Sequence, residues 1–267
     1  MPSPSVTVIT PTYCRASFLQ QTLRSVEAQS LVDFEYLIAS DGGTEDVKAV
    51  ARGAQASDPR VRFLDLPHRG VFRTLDATFR EARGQYVAVV ADDDLWHPDF
   101  LHRLVGVFEG DSKAYAFVSC DYSFLHDGEV GGPRCPYASE AKASRSGVVT
   151  AFINSLFSKH YLDLVAASLG YYFDPHLRRL GDEDLFLSLL RIGAPTKHIH
   201  AALSYYRQHA DQFAAKPFIW SFLDRATVAA RAGKPMRPSE TIREIAWLVN
   251  LRMGGRLARS RSAPRER

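Results

Sequence analysis

Hydrophobic positions change their period in a regular way along the first 120 residues. Residues 6–10 form a short β-rich run that ends at Pro11-Thr12-Tyr13. Leu19, Leu23 and Val26 follow at helical spacing, with Ser17 as the expected N-cap. Residues 34–39 read as a second strand, Val47, Val50, Ala51 and Ala54 as a helix face, and residues 61–66 as a third strand. Val71, Leu75, Phe79 and Ala82 give another helix before Gly84. Residues 86–91 show no polar alternation, the mark of a strand covered on both faces. Leu101, Leu104, Val105 and Phe108 then mark a helix, and residues 115–120 a fifth strand. This alternation predicts a Rossmann-like α/β fold, a mostly parallel sheet with helices on both faces.

Beyond Cys120 the rhythm changes. Residues 123–126, a turn at Asp127-Gly128-Glu129 and a break at Gly131-Gly132-Pro133 predict a hairpin and loop instead of another crossover. A strand-like run at 148–153, a helix at 159–169 and a strand at 197–202 come next. Between the last two lies a helix carrying Leu185, Leu189 and Ile192, opened by Gly181-Asp182-Glu183-Asp184 and closed by Gly193. Two helical segments, 217–232 and 238–252, form a C-terminal helical extension. The expected organisation is a first α/β part at 1–122, a second part at 123–211, and the extension at 212–267.

Composition narrows the class. The chain has 267 residues, 46% hydrophobic and 24% charged, with a formal net charge of +3. Six arginines from Arg252 onward against Glu266 put +5 on the last residues, leaving about −2 on the body, which is no nucleic-acid-binding surface. That basic tail is expected to be disordered, with a solvated tail as the favoured reading and weak peripheral contact with anionic lipid as the alternative. Three widely spaced cysteines, Cys14, Cys120 and Cys135, form neither a zinc pattern nor a disulfide framework, and no run approaches the ~18 apolar residues of a membrane span. The expected location is the cytoplasm.

In a sheet of this kind ligands bind beyond the carboxyl ends of the strands. Thr12, Tyr13, Asp41 and the triplet Asp92, Asp93 and Asp94 all follow strands and should meet at one edge. Three adjacent carboxylates at a strand end require positive charge, for which a divalent cation is the favoured source. The competing reading is a solvated acidic turn in which Asp94 caps a helix beginning near Pro98.

Taken in order, Val8-Ile9-Thr10-Pro11-Thr12-Tyr13, Ser40-Asp41-Gly42-Gly43-Thr44, Ala82-Arg83-Gly84-Gln85-Tyr86 with Asp92-Asp93-Asp94-Leu95-Trp96-His97-Pro98, Gly181-Asp182-Glu183-Asp184-Leu185 and Tyr206-Arg207-Gln208-His209 resemble the motifs of the family 2 glycosyltransferases, over about residues 5–210. The resemblance implies an inverting enzyme of the GT-A fold. Such an enzyme moves a sugar from a UDP- or dTDP-sugar to the hydroxyl of a carbohydrate, lipid-linked or small-molecule acceptor. It implies nucleotide contacts from Pro11, Thr12, Tyr13, Arg15, Asp41, Arg73 and Asp92. It also implies Mg²⁺ or Mn²⁺ on Asp93 and His209, with Asp92 or Asp94 assisting. Asp182 would be the catalytic base, with Asp184 as runner-up. Asp41 has the chemistry to accept a pyrimidine N3–H and Tyr13 to cover the ring, although both equally suit a turn aspartate and a strand-end aromatic.

Some positions depart from the family pattern. Ala91 falls where the first Asp of the metal motif is usual, Leu75 and Asp76 where Arg and Asn are usual, and Cys14 where Asn is common. Arg73 or Arg69 would then have to replace the phosphate-side arginine. The alternatives are a sugar nucleotidyltransferase, which would want a glycine-rich loop after the first strand, and a non-catalytic sugar-nucleotide-binding protein.

Overall fold

The computed structural model describes residues 3–134, 152–209, 220–231 and 233. Its contacts divide the chain into two units, Met1–His209 and Ala210–Arg267. In the first unit β1 (Val6–Thr12), α1 (Ala16–Glu27), β2 (Phe34–Asp41), α2 (Glu45–Ser57), β3 (Val61–Leu66), α3 (Val71–Glu81) and β4 (Tyr86–Val89) alternate as the hydrophobic periods require. The short β5 (Leu95–Trp96), α4 (Phe100–Gly110), β6 (Phe117–His126) and β7 (Glu129–Arg134) follow. After a 3₁₀ turn, Phe152–Asn154, come β8 (Ser155–Ser158), α5 (Lys159–Leu169), α6 (Gly181–Arg191) and β9 (Thr196–Gln208). The second unit contains α7 (Trp220–Arg231). The expected helix at 238–252 and the arginine-rich tail lie outside the described residues, as do residues 148–151 of the expected strand. Residues 152–153 of that run belong to the 3₁₀ turn, and the strand starts at Ser155.

One sheet runs in the order β3-β2-β1-β4-β8-β6-β9-β5, with β7 paired to β6. Its first half is parallel throughout, β3 to β2 to β1 to β4. Beyond β4 it is mixed: β8 lies antiparallel to both β4 and β6, while β9 runs parallel to β6. The hairpin at Asp127-Gly128 forms as expected, but Gly131, Gly132 and Pro133 belong to β7 instead of breaking it, on an exposed edge strand where a proline removes no ladder bond.

The period-2 alternation of the strands builds two cores. Val6, Val8, Tyr36, Ile38, Ala88, Val118 and Cys120 pack with Leu19, Leu23 and Val26 of α1, Val47 and Ala51 of α2 and Leu104 of α4. On the opposite face Phe117, Phe152, Phe157, Phe173 and Phe186 meet ring on ring, and Phe79 and Phe72 of α3 extend the cluster through Phe173. All eight residues of β2 are buried, as expected of a strand covered on both sides.

Two caps differ from expectation. Ser17 lies inside α1, whose N-cap is Arg15, and α4 is preceded by Asp99, not Asp94. Both helices begin where a neighbouring strand or turn delivers the chain, so tertiary position overrides the local capping preference.

Candidate active site

The carboxyl ends of β1, β2 and β4 bring the expected residues to one edge. Asp92, Asp93 and Asp94 are all buried, which excludes a solvated acidic turn. Their neutralisation is specific. Arg15, from the loop after β1, places one guanidinium nitrogen on Asp92 and another on Asp93. Thr12 Oγ1 donates to Asp92 Oδ2 at 2.8 Å. His209 Nε2 lies 3.0 Å from Asp93 Oδ2. The backbone N–H of Arg207 donates to Asp94 Oδ1 at 2.8 Å, while its Nε donates to the carbonyl of Asp93 at 2.7 Å. The Arg207 guanidinium also lies over the Phe18 ring, and Phe18 packs against His209.

The positive charge demanded by the acidic run is therefore supplied by Arg15, not by a cation alone. Burial raises the pKa of Asp92 despite Arg15, and burial together with the charge of Asp93 raises that of Asp94 well above the ordinary carboxylate value. For Arg15, burial opposes the charge, but Asp92 and Asp93 outweigh it and the pKa is raised.

Asp41 sits at the end of β2 and is buried. Its Oδ1 accepts from the N–H of Arg69 at 2.8 Å and from Thr74 Oγ1 at 3.0 Å, and its Oδ2 from the N–H of Gly70 at 3.1 Å. His68 Nδ1 lies 3.2 Å from Oδ2. The carboxylate thus ties the loop after β3 and the start of α3 to β2, and a pyrimidine N–H would have to displace one of these donors. Next to it, Tyr13 is 46% exposed and stacks on His68 with ring centroids 4.8 Å apart. Gly43 lets the chain pass so close that an added Cβ would fall 2.6 Å from the Tyr13 carbonyl.

Other expected residues are placed differently. Arg73 Nε donates to the carbonyl of Pro175 at 3.1 Å, bracing the segment before α6. Leu75 is a core residue, and Asp76 Oδ1 accepts from the N–H of Tyr172 at 2.7 Å. The two departures on α3 therefore serve packing and loop anchoring. Pro11 continues β1 opposite Ala39.

α6 starts at Gly181, where a Cβ would lie 2.6 Å from the Phe72 ring, so only glycine lets the helix start this close to α3. Asp182 follows with partial exposure, and burial pushes its carboxyl up to about 6, against the opposing effect of N–H donors at Glu183 and at its own backbone. Asp184 is 3% exposed. Tyr206 lies near the end of β9, and its phenol is pushed up to about 12 by burial and then by the charges of Asp94, Asp93 and Asp182. Tyr206 was expected only as part of a motif.

Among the described residues, the one trio of His, Cys, Asp or Glu side chains with donor atoms all within 4.8 Å of one another lies elsewhere, at Asp121, His198 and His200. The acidic turn instead offers a pair, Asp93 and His209, with Arg15 against the same carboxylate oxygen as His209.

Comparison with known proteins places these features. A sequence model described as Glycosyl transferase family 2 matches residues 7–162. A chondroitin synthase of Pasteurella multocida is 26% identical over 215 residues, 80% of this chain but 22% of that protein, so the chain spans about a fifth of its length. A Bacillus subtilis protein, TuaG, assigned by name to teichuronic acid biosynthesis, is 25% identical over 76% of this chain and 79% of its own. Among solved structures, S. aureus TarS 1-349 in complex with UDP-GlcNAc has a TM-score of 0.65 at 14% identity, covering 92% of this chain and 72% of that one. The mannosyltransferase PcManGT from Pyrobaculum calidifontis, in complex with GDP-Man and Mn²⁺, has a TM-score of 0.65 at 19% identity, covering 93% and 70%. The fold is GT-A, the α/β class expected from the sequence.

Proposed function

The chain belongs to glycosyl transferase family 2, and from that premise we propose that it transfers a sugar from a pyrimidine nucleotide-diphosphosugar to an acceptor hydroxyl with inversion at the anomeric carbon. The observation that carries this reading is the convergence of Arg15, Asp92, Asp93, Asp94, Arg207 and His209 at one sheet edge, with the partly exposed Asp182 opening α6. A single displacement needs a base on the acceptor side and charge compensation on the leaving-group side, and these two regions supply them.

Asp182 is the base. A carboxyl with a pKa of about 6 takes a proton near neutral pH more readily than an ordinary aspartate, and its partial exposure lets an acceptor reach it. Asp184 is buried against the first unit's core, which disfavours it. The hydroxyl proton passes to Asp182 as the acceptor oxygen attacks, and the nucleoside diphosphate leaves toward the Arg15 and Arg207 side.

Asp93 and His209 set a carboxylate oxygen and an imidazole nitrogen side by side, a donor pair that fits Mn²⁺ better than Mg²⁺, with Asp92 available once Arg15 turns to the diphosphate. When bound, such an ion offsets the negative charge of the leaving diphosphate. Arg15 holds this charge position otherwise. Tyr13 and His68 flank the nucleotide ring, and Asp41 shapes that wall by fixing residues 69–74. Relatives named for chondroitin and teichuronic acid synthesis support a polysaccharide as product, and no described helix is long and apolar enough to cross a membrane.

The test is turnover of UDP-, dTDP- and GDP-sugars with a panel of saccharide acceptors, with NMR of the product's anomeric centre. Inverted product from a pyrimidine donor is expected, and Asp182→Asn should lose transfer while retaining donor. Retention of configuration, or full activity in Asp182→Asn with none in Asp184→Asn, overturns the assignment.

A further inference from the structure

β6 and β9 run parallel and in register from Phe117 opposite Thr196 to Cys120 opposite Ile199. Asp121 then pairs with Ala202, so His200 and Ala201 have no counterpart on β6. A bulge of this kind re-aims side chains that a regular strand would space evenly. Here it brings three metal-ligating groups together. His198 Nε2 lies 2.8 Å from Asp121 Oδ1, and His200 Nδ1 lies 3.7 Å from Asp121 Oδ2. The two imidazole centroids are 5.1 Å apart.

Three further features fit a coordination site. The other ring nitrogen of His198, Nδ1, lies 3.0 Å from Ser119 Oγ, the outer hydrogen bond that fixes the ring and tautomer of a ligating histidine. Asp121 and His198 are buried at their side chains while His200 is 76% exposed, which leaves one side open to solvent for an entering ion and a water ligand. Two imidazoles with one carboxylate also form the donor set of borderline transition metals; Mg²⁺ and Ca²⁺ prefer oxygen alone. An ordinary Asp–His hydrogen bond would account for His198 but not for the delivery of His200 by the bulge.

We propose that Asp121, His198 and His200 form a second metal site, separate from Asp93 and His209 and selective for Zn²⁺, which clamps the β9 bulge to β6. Beyond the bulge β9 pairs with β5 and then supplies Arg207 and His209 to the acidic turn. An ion at the bulge therefore fixes the path of the strand that closes the donor side.

The experiment uses the full chain, free of any affinity tag and stripped with a chelator, titrated with Co²⁺ as a spectroscopic probe. One equivalent should give the ligand-field absorption of a four-coordinate ion, displaced by stoichiometric Zn²⁺ and unaffected by a hundredfold excess of Mg²⁺. His200→Ala, which changes an exposed side chain and should leave the circular dichroism unaltered, should weaken Co²⁺ binding at least tenfold. Asp121→Asn should abolish it and His209→Ala should preserve it. Absence of a saturable Co²⁺ signal, or a signal that survives His200→Ala and disappears in His209→Ala, overturns the proposal.

Discussion

Asp182→Asn should make the protein more stable at neutral pH while removing transfer. Burial raises the carboxyl from an ordinary 3.8 to about 6, so the folded state binds this proton more tightly than the unfolded chain does. The associated stability is fully present below about pH 4 and is lost as pH rises through about 6. At pH 8 the charged carboxylate is a net burden. A shift of about two units at ~1.36 kcal/mol each sets an upper limit of about 3 kcal/mol. Because Asp182 keeps partial access to water, solvent screening reduces this to about 1–2 kcal/mol. Asparagine has the same shape and can still accept from the Glu183 N–H, so it removes the charge with little else. For a unit of this size the melting temperature should rise by about 3–6 °C at pH 8, and the difference should vanish near pH 4. Transfer should fall by about 10²- to 10⁴-fold, the usual loss of a general base. Paired thermal melts at pH 4 and pH 8 with single-turnover assays test both parts. A variant less stable at pH 8, or a pH-independent gap, would refute the buried-base argument.

Arg15→Gln leaves two buried carboxylates short of a partner. Allowing for the quarter of the Arg15 side chain that stays in water, it should cost about 2 kcal/mol in chelator, and Mn²⁺ should recover more stability in the variant than in the parent; equal recovery would mean that Arg15 and the ion do not share a site. Asp93→Ala should abolish metal-stimulated turnover, and unimpaired activity of the parent in EDTA would contradict the metal assignment. Asp41→Ala should lower stability by about 3 kcal/mol through the freed N–H groups of Arg69 and Gly70 and the Thr74 hydroxyl, with Asp41→Asn partly restoring it. If instead stability is unchanged and donor affinity drops ten- to hundredfold, Asp41 contacts the nucleotide ring directly.

The parallel half of the sheet could be read from the chain because β1, β2 and β4 are almost wholly buried and the crossover helices have apolar stripes, as in Leu19, Leu23 and Val26. The other half was less legible. β8 is four residues long and antiparallel to both its neighbours, and β5 has two residues, too few for any period to register. The aromatic cluster on the second face draws Phe72, Phe117, Phe152, Phe157, Phe173 and Phe186 from six separate segments, and no local window contains that association. The trio at Asp121, His198 and His200 was missed for a related reason. His-x-His on a strand was visible, but the partner aspartate and the bulge that aims His200 at it depend on β6 lying beside β9.

Reasoning from charge asked for positive charge at the acidic triplet, and Arg15 is one source of it that the reasoning did not name there. Three buried carboxylates do require positive charge, yet the structure meets that requirement with a guanidinium from the β1 loop, an imidazole and the backbone of β9. Each carboxylate receives its own set of partners, with Arg15 shared by two: Arg15 and Thr12 on Asp92, Arg15 and His209 on Asp93, and the Arg207 N–H on Asp94. A fourth acid at Ala91 would have added a further negative charge beside these three carboxylates. Small and apolar at position 91, the chain keeps the count of carboxylates matched to the donors that β1 and β9 deliver. Under the proposed metal reading, an ion on Asp93 and His209 would compete with Arg15 and would bind more tightly when a diphosphate draws the guanidinium away.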